Sequence, residues 1–276
     1  MDEIKETRSE HRLGVDSQCA MLEERHKTQE CDSEHLSKKI GSTKSGVGAC
    51  NAERALRMVR LARQEQELRP YIQDTVAEIH KTLSSGGSVQ VEGTQGTFLS
   101  LYHGTYPYVT SKDVTASQAC ADVGIGPTDV DDVMVIFKSY VTRVGEGPLE
   151  NQLSRDEVLR RGWMEYGTVT GRERRAAPFD FNLAKRAVEL NGGTQIALTK
   201  LDVLFPAAKG VHEYAKLPKE ATDFVSKIEQ RTGIPVTVIG TGAQETDIID
   251  RRKKFSPVPI KAALVVKRSK PTSVRD

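Results

Sequence analysis

The segment at residues 194–204, TQIALTKLDVL, constrains the fold more than any other part of the chain. Its apolar run at residues 196–198 follows a glycine pair and contains no glycine or proline, which predicts a buried strand between two turns. Lys200 and Asp202 come where that strand should end. Because ligands bind at the carboxyl ends of strands in open α/β sheets, the segment predicts an α/β fold with a ligand site beside these two residues.

Lys200 and Asp202 have side chains that suit guanine. An aspartate carboxylate accepts two parallel hydrogen bonds from N1 and the 2-amino group of guanine, a pair of donors that adenine does not offer. The methylene stem of a lysine can lie along the base while its ammonium stays in water. A lysine and an aspartate two residues apart are common, so on these residues alone an ordinary surface loop is at least as good an interpretation.

Length and composition are those of a soluble globular protein. The 276 residues suffice for one large domain or two small ones, with 37% hydrophobic and 28% charged residues. The formal net charge of +2 does not indicate nucleic acid or a membrane as a partner. No apolar run reaches transmembrane length, and Met1 begins a charged stretch rather than a signal peptide, so we expect a cytoplasmic protein.

The cysteines and histidines do not indicate a metal site. The six histidines are scattered, and the four cysteines have no C-x-x-C spacing. We therefore interpret the cysteines as reduced cytosolic thiols. They are Cys19, Cys31, Cys50 and Cys120.

Two loops rich in glycine are candidates for nucleotide contacts. Residues 40–48, IGSTKSGVG, can bring backbone N–H groups close to a phosphate, although they lack Walker A spacing. Taken alone, this loop is better interpreted as a flexible linker. Gln95 lies between glycines 93 and 96, where its amide would be free to contact a base or ribose.

Two further loops have the composition of ligand sites. Residues 167–175, GTVTGRERR, crowd arginines beside hydroxyl side chains, and Arg172 and Arg174 could clamp a carboxylate and a phosphate. A solvated arginine loop is the alternative. The turn at residues 240–242 follows an apolar run and could cover the other edge of a base.

The remaining pattern predicts helices and strands of ordinary length. We expect residues 1–35 to be a poorly defined leader, because they sustain no hydrophobic face, and residues 36–276 to be one nucleotide-binding domain. A capping box at Ser154 predicts a helix that runs toward Glu165. Further helices are expected at residues 51–68, 70–83, 179–190 and 219–232. Strands are expected at residues 88–92, 133–144 (a central strand) and 235–239, and a possible edge strand at 260–266.

In combination, seven segments resemble the adenylosuccinate synthetase family, most of all its shorter archaeal form and its phage relatives. They occur in the family's order and cover roughly residues 36–250. The segments are IGSTKSGVG (40–48), VEGTQG (91–96), LYHGTYPYVTSKDVTAS (101–117), TRVGEGP (142–148), EYGTVTGRERR (165–175), LTKLDVL (198–204) and VIGTGAQETDII (238–249).

The resemblance implies a fold and a reaction. The fold is α/β and P-loop-NTPase-like, with a largely parallel sheet and helices on both faces. The family condenses IMP with L-aspartate, driven by GTP in the presence of Mg²⁺: GTP phosphorylates the 6-oxygen of IMP, and the aspartate amine displaces that phosphate. A homodimer is also implied, because Arg57 would reach the IMP phosphate of the neighbouring subunit.

The resemblance also implies roles for individual residues, carried over motif by motif. IMP would contact Thr43, Arg57, Gln95, Thr110 and Arg172. L-Aspartate would contact Thr168, Val169, Thr170, Gly171, Arg172 and Arg174. GTP would contact Arg174, Lys200, Leu201, Asp202, Gly240, Thr241 and Gly242.

The chain departs from the family pattern at its beginning. Family members start with a strand and a G-D-E-G-K-G-type loop that carries the catalytic base and the Mg²⁺ site, and no segment here matches it. The family's supporting histidine is likewise unmatched, so we assign no catalytic or metal residue and expect no synthetase activity from the chain as written. Smaller departures are Gly240, where many members have serine, and residues 44–45, where a glycine is common.

Three interpretations follow from this departure. The first is a synthetase whose recorded sequence lacks its N-terminal part. The second is a shortened, non-catalytic homologue that binds guanine nucleotides. The third is a phage-type synthetase that uses dGMP instead of IMP.

Overall fold

The computed structural model describes residues 2–167 and 171–254, and the expected edge strand at residues 260–266 lies outside them. Its helices are α1 (Asp2–Glu6), α2 (Glu24–Asp32), α3 (Val47–Ala55), α4 (Thr75–Ser84), α5 (Ala116–Val123), α6 (Arg155–Arg160), α7 (Phe181–Asn191), α8 (Leu201–Leu204) and α9 (Lys219–Thr232). Its strands are β1 (Val15–Asp16), β2 (Ile72–Gln73), β3 (Met134–Lys138), β4 (Tyr140–Arg143), β5 (Arg175–Pro178), β6 (Gln195–Thr199), β7 (Val236–Gly240) and β8 (Ile248–Asp250).

A four-stranded sheet with the order β3-β6-β7-β8 organises the second half of the chain. Strands β3, β6 and β7 are parallel, and β8 closes the sheet antiparallel to β7. The α/β class and the parallel pairing expected from the sequence are confirmed. Because the three parallel strands end at one edge, Lys138, Lys200 and Gly240 come together there.

The main hydrophobic core lies between this sheet and helices α7 and α9. Ile196 and Leu198 of β6 pack with Val225 and Ile228 of α9, and all four are 0% exposed. Fully burying a side chain of this size contributes about 1.5–3 kcal/mol. The opposite face of β3 is less covered in the described part of the chain, where Ile136 is 69% exposed. Burial therefore fixes β6 firmly, and with it the residue that follows, Lys200.

The expected central strand at residues 133–144 is wrong, because the chain leaves the sheet at Ser139. Strand β3 ends at Lys138, and β4 pairs antiparallel with β5 in a separate two-stranded sheet. Ser139 is fully buried and its backbone N–H donates to Thr199 O at 3.0 Å. β-Branched composition favours extended backbone on both sides of such a break, so it cannot show where one sheet ends and the next begins.

Other boundaries differ where local contacts overrule periodicity. No strand forms at residues 88–92, a largely exposed stretch that pairs with no strand of the described chain. Helix α3 ends at Ala55, since Arg57 adopts a positive φ of 63° soon after it, so the helix expected at residues 51–68 is wrong. Helix α4 begins after Asp74, whose side chain accepts from Ala77 N, instead of at Pro70.

Several helix predictions are confirmed. Helix α9 has the expected bounds, and Gly233 ends it in the left-handed conformation. Helix α6 follows Ser154, whose side chain accepts from Glu157 N, but it ends at Arg160, short of Glu165. Helix α7 starts two residues later than expected, because Asp180 accepts from the backbone N–H groups of residues 182 and 183.

Residues 2–35 form structure through partners elsewhere in the chain. Strand β1 pairs in parallel with β2, and helix α2 packs on α3. His26 is fully buried, with its Nε2 atom 3.1 Å from Glu53 Oε2, and Glu30 is 3% exposed. The segment lacks an apolar stripe because its buried face is partly polar. No helix in the described residues is long and apolar enough to cross a membrane.

Candidate functional site

A cavity of about 220 Å³, here called the strand-end cavity, lies at the carboxyl ends of β6 and β7. Its lining combines apolar sheet residues with glycines and a few polar side chains, a composition suited to a flat heterocycle. The lining residues are Ala197, Leu198, Thr199, Lys200, Val238, Gly240, Gly242, Gln244, Asp247 and Ile248.

Lys200 is held at this cavity by its backbone. Its φ is +64°, a left-handed conformation that is uncommon for a lysine. The Ser139 hydroxyl donates to Lys200 O at 2.7 Å, and the fully buried Leu201 anchors the next position in the core. Any contact of Leu201 with a nucleotide therefore falls to its backbone. Asp202 is half-buried in the first turn of α8 and is not among the residues that line the cavity.

The turn after β7 explains why glycine is needed at residue 242. A Cβ atom there would lie 2.2 Å from Asp247 Oδ2, and that carboxylate accepts from Gln244 N at 3.0 Å. At Gly240 a Cβ would meet Thr199 Cα at 3.5 Å, an ordinary contact, so a side chain is sterically acceptable there. Thr241 is fully buried and its hydroxyl donates to Val211 O at 3.0 Å, which makes it a support for the turn.

Lys200 belongs to a cluster of four charged side chains and one tyrosine, whose central residue was not identified from the sequence. Glu165 lies at its centre and is partly buried, with a 17% exposed side chain. Its carboxylate accepts from Tyr140 Oη at 2.7 Å and from Lys138 Nζ at 3.1 Å. The Nη1 atom of Arg174 is 3.8 Å away and the Nζ atom of Lys200 is 3.9 Å away. We call these five residues the Glu165 cluster.

The Glu165 cluster keeps its carboxylate ionised. Burial alone would raise the pKa of Glu165, but hydrogen bonds from Tyr140 and Lys138 outweigh it and hold that pKa below its ordinary value. Burial lowers the pKa of Lys138, and the Glu165 carboxylate offsets part of the effect. Burial and the bond to Glu165 raise the pKa of Tyr140, so its hydroxyl remains a donor at neutral pH.

A second cavity, about 670 Å³ in volume and here called the loop cavity, is formed around residues 40–48. Its lining holds three cationic side chains and four hydroxyl groups, a donor set that suits a phosphate or a carboxylate. Arg172 crosses to this loop and donates from Nη1 to Gly41 O at 2.7 Å. The lining residues are Lys27, Ser37, Ser42, Thr43, Lys44, Ser45 and Arg172.

Glu30, in helix α2, supports the loop from behind. Its carboxylate accepts from Gly48 N at 2.7 Å and from the Ser42 hydroxyl at 3.0 Å. The Ser42 hydroxyl in turn accepts from Lys44 N at 3.1 Å. Lys27 and Glu30 were missed because both lie in the segment expected to be a leader, and a solitary glutamate in a charged stretch carries no local sign of a partner 18 residues away.

The described residues between Glu165 and β5, here called the connecting loop, contact both the loop cavity and the Glu165 cluster. An isolated bridge pairs Tyr166 with Glu173, and Gly167 N donates to Arg172 O at 2.8 Å. Arg172 thus points to the loop cavity while Arg174 points to the Glu165 cluster. The Nε atom of Arg174 is buried and has no hydrogen-bond partner among the described residues.

The remaining predicted site residues are not gathered at these cavities. Gly171 has a positive φ of 63° in the connecting loop. Arg57 and Gln95 are exposed, Thr110 is half-buried, and none of the three lines either cavity. Thr168, Val169 and Thr170 lie outside the described residues.

Within residues 2–167 and 171–254, no group of three or more His, Cys, Asp or Glu side chains is arranged to hold a metal ion. None of these residues is therefore assigned as an Mg²⁺ ligand.

Comparison with known proteins assigns this arrangement to a family. The sequence model of adenylosuccinate synthetase matches residues 58–209. The adenylosuccinate synthetase of Thermococcus onnurineus is 51% identical over 252 residues, which cover 91% of this chain and 74% of that protein. The synthetase of Methanocaldococcus jannaschii is 50% identical over 252 residues, with 91% and 73% covered.

Two solved structures have a similar fold. The fully ligated adenylosuccinate synthetase of Plasmodium falciparum matches with a TM-score of 0.82 at 24% identity, covering 91% of this chain and 81% of that one. The succinoaminodeoxyadenylate synthetase of cyanophage S-2L, bound to dGMP and to dATP as an energy donor, matches with a TM-score of 0.69 at 26% identity, covering 87% and 69%.

Proposed function

Because the chain belongs to the adenylosuccinate synthetase family, a family of purine-biosynthetic ligases, we propose that it binds the substrates of GTP-dependent ligation of L-aspartate to IMP at the two cavities. The strand-end cavity takes guanine, and the loop cavity takes the phosphate of IMP. Aspartate lies between them, against the loop that begins at Glu165.

The proposal depends mainly on the contacts of two arginines in the connecting loop. Arg172 contacts the loop cavity at Gly41 O, and Arg174 lies 3.8 Å from Glu165 beside Lys200. Two arginines two residues apart thus serve two neighbouring anion sites. An orientation of this kind lowers the barrier of a reaction between two bound substrates, because the entropy of bringing them together has already been lost on binding.

Each cavity suits its substrate. Lys200, Gly240 and Gly242 surround a small slot with apolar walls, and Asp202 follows Lys200 by two residues. In this proposal the Asp202 carboxylate, which does not line the slot, reaches the edge of the bound base and accepts from N1 and the 2-amino group of guanine. The loop cavity offers Thr43 with Lys44 and Arg172, which match the charge of a phosphate. Gln95 and Thr110 complete the IMP site in this proposal.

GTP is the co-substrate in this proposal and Mg²⁺ is its metal. A homodimer is also part of it: Arg57 is exposed and lines neither cavity, and its neighbours Leu56 and Met58 are 65% and 70% exposed. In this proposal Arg57 reaches the IMP site of a second subunit, and its exposure leaves it accessible to one. The four free thiols suit a cytoplasmic location.

One alternative to IMP as the acceptor nucleotide is dGMP. The cyanophage enzyme, similar in fold, was solved with dGMP. The relatives at 50–51% identity are adenylosuccinate synthetases, which supports IMP as the acceptor here.

Calorimetric titration of the purified chain tests this proposal. We expect GDP to bind at least about tenfold more tightly than ADP, a difference of about 1.4 kcal/mol. IMP is expected to bind more tightly than dGMP. Lys200→Met should weaken GDP binding, while Lys219→Met, which removes an exposed ammonium paired with Asp223, should leave it unchanged. Equal affinity for GDP and ADP would overturn the guanine site, and tighter binding of dGMP would overturn the choice of IMP.

A further inference from the structure

We propose that Glu165 is a positioning residue for the guanine nucleotide: its carboxylate sets where Lys200, which lines the strand-end cavity, lies relative to Arg174. This inference rests on the proposed function, because the ligand it concerns is the guanine nucleotide.

Glu165 is the meeting point of three separate elements. Lys138 ends β3, Tyr140 begins β4, and Lys200 follows the last residue of β6. Arg174 comes from the connecting loop, where its N–H donates to Glu165 O at 2.8 Å. Moving this one carboxylate would shift Lys200, which lines the strand-end cavity, together with side chains at the ends of β3 and β4.

The contacts of Glu165 fall into two distance classes. Tyr140 at 2.7 Å and Lys138 at 3.1 Å are hydrogen bonds, and they fix the carboxylate. Arg174 at 3.8 Å and Lys200 at 3.9 Å are beyond hydrogen-bond length but within ion-pair reach. The first pair anchors Glu165, and the second pair is held by charge while remaining able to turn toward a ligand.

The charges of the cluster also favour an anionic ligand. Lys138, Arg174 and Lys200 face the single carboxylate of Glu165. Asp202 is a second carboxylate close enough to act on Tyr140, which still leaves one positive charge unmatched, and a nucleotide phosphate can match it. The buried, unpartnered Nε atom of Arg174 among the described residues indicates a donor that a ligand can satisfy. Without Glu165, the three cations would repel one another and Lys200 would move into solvent.

A tryptophan that packs against the Glu165 cluster provides a spectroscopic reporter of changes there. Trp163, the only tryptophan of the chain, stacks on Tyr140 with ring centroids 4.6 Å apart and an interplanar angle of 14°. Because Tyr140 donates to Glu165 and stacks on Trp163, a movement of the carboxylate alters the environment of the indole. We expect GDP binding to change the emission of Trp163 in the native chain.

A double-mutant cycle tests whether Glu165 acts through Lys200. Glu165→Gln keeps the size of the side chain and its bond from Tyr140 but removes the charge. We expect it to weaken GDP binding about tenfold in the native background, and less than about threefold in the Lys200→Met background. Glu78→Gln is the matched control, since Glu78 is exposed and pairs with Lys81 on α4, and it should not change GDP affinity.

The outcomes separate positioning from a structural role. If Glu165→Gln lowers the melting temperature but leaves the Kd for GDP unchanged, or weakens binding equally in both backgrounds, the inference is wrong. Tyr140→Phe gives a second route that does not depend on the folding of the first variant: it frees the carboxylate and should weaken GDP binding about threefold. An unchanged Kd there also contradicts the inference. If the native chain does not prefer GDP to ADP, the proposed function itself fails and this inference fails with it.

Discussion

The two cavities are built in different ways, although one loop serves both. The strand-end cavity stands on β6 and β7, where Ile196, Leu198 and Ile239 are 0% exposed. The loop cavity is formed by residues 40–48, whose Thr43 and Lys44 are exposed and which depend on one buried carboxylate, Glu30. Fixed geometry suits the flat base proposed for the strand-end cavity, and several cationic side chains suit the phosphate proposed for the loop cavity. The difference in construction thus agrees with the two proposed ligands.

The largest expected effect is a difference in the free energy of unfolding between a variant beneath the strand-end cavity and a variant in the loop cavity. Ile196→Ala should lower the free energy of unfolding by about 2–5 kcal/mol, because it leaves a cavity in the core beneath the strand-end site. Thr43→Ala should change it by less than about 0.5 kcal/mol, since the side chain is an exposed part of the loop. Urea denaturation of the two variants measures both values. Similar losses in the two would mean that the loop cavity is as much part of the core as the sheet.

The next effect is a difference in stability and GDP affinity between alanine variants of two glycines in the turn after β7. Gly242→Ala places a Cβ atom 2.2 Å from Asp247 Oδ2, and relieving that contact should cost about 1–3 kcal/mol and weaken GDP binding. Gly240→Ala is the matched control, because its Cβ meets only an ordinary 3.5 Å contact. Affinities for GDP and IMP are measured for both. A loss of IMP affinity in Gly242→Ala as large as the loss of GDP affinity would contradict the separation of the two sites.

Glu30→Gln tests the loop cavity in the same way. The amide cannot accept equally from Gly48 N and the Ser42 hydroxyl, so we expect IMP binding to weaken by about 1–2 kcal/mol while GDP binding is retained. Glu34→Gln is the control, since Glu34 is an exposed partner of Lys38. Unchanged IMP affinity in Glu30→Gln would show that the loop does not need this support.

The smallest expected effect concerns acid stability. The pKa of Glu165 in the folded chain lies below its ordinary value of 4.5, so its contribution is fully present above pH 4.5 and is lost as the pH falls through the lower folded value. Glu165→Gln should therefore show a shallower loss of stability on acidification below that pH than the native chain. Urea midpoints measured across this range provide the comparison. Parallel curves would mean that the cluster does not hold the carboxylate ionised.

The scaffold of the strand-end cavity could be predicted from sequence. Residues 196–198 carry their own evidence of burial, and a turn must follow them, so Lys200 could be placed at a strand end. The partners of Glu165 and Glu30 could not be found in this way, because they come from distant segments that only the folded chain brings together. The local signal that could have identified Glu165 is its position as an acidic residue at the start of a segment rich in arginine. Ser139 shows the same limit, since a buried serine that splits two strands looks like any residue within one.

Guanine recognition is tested most directly by removing a single group from the ligand. IDP lacks the 2-amino group of GDP, and we expect GDP to bind about tenfold more tightly, a difference within the range of one hydrogen bond to a charged acceptor. Asp202→Asn should reduce that preference, because the carboxylate is replaced by an amide that accepts with one atom only. If the native chain binds GDP and IDP equally, or if Asp202→Asn keeps the full preference, the carboxylate at the end of β6 does not read guanine.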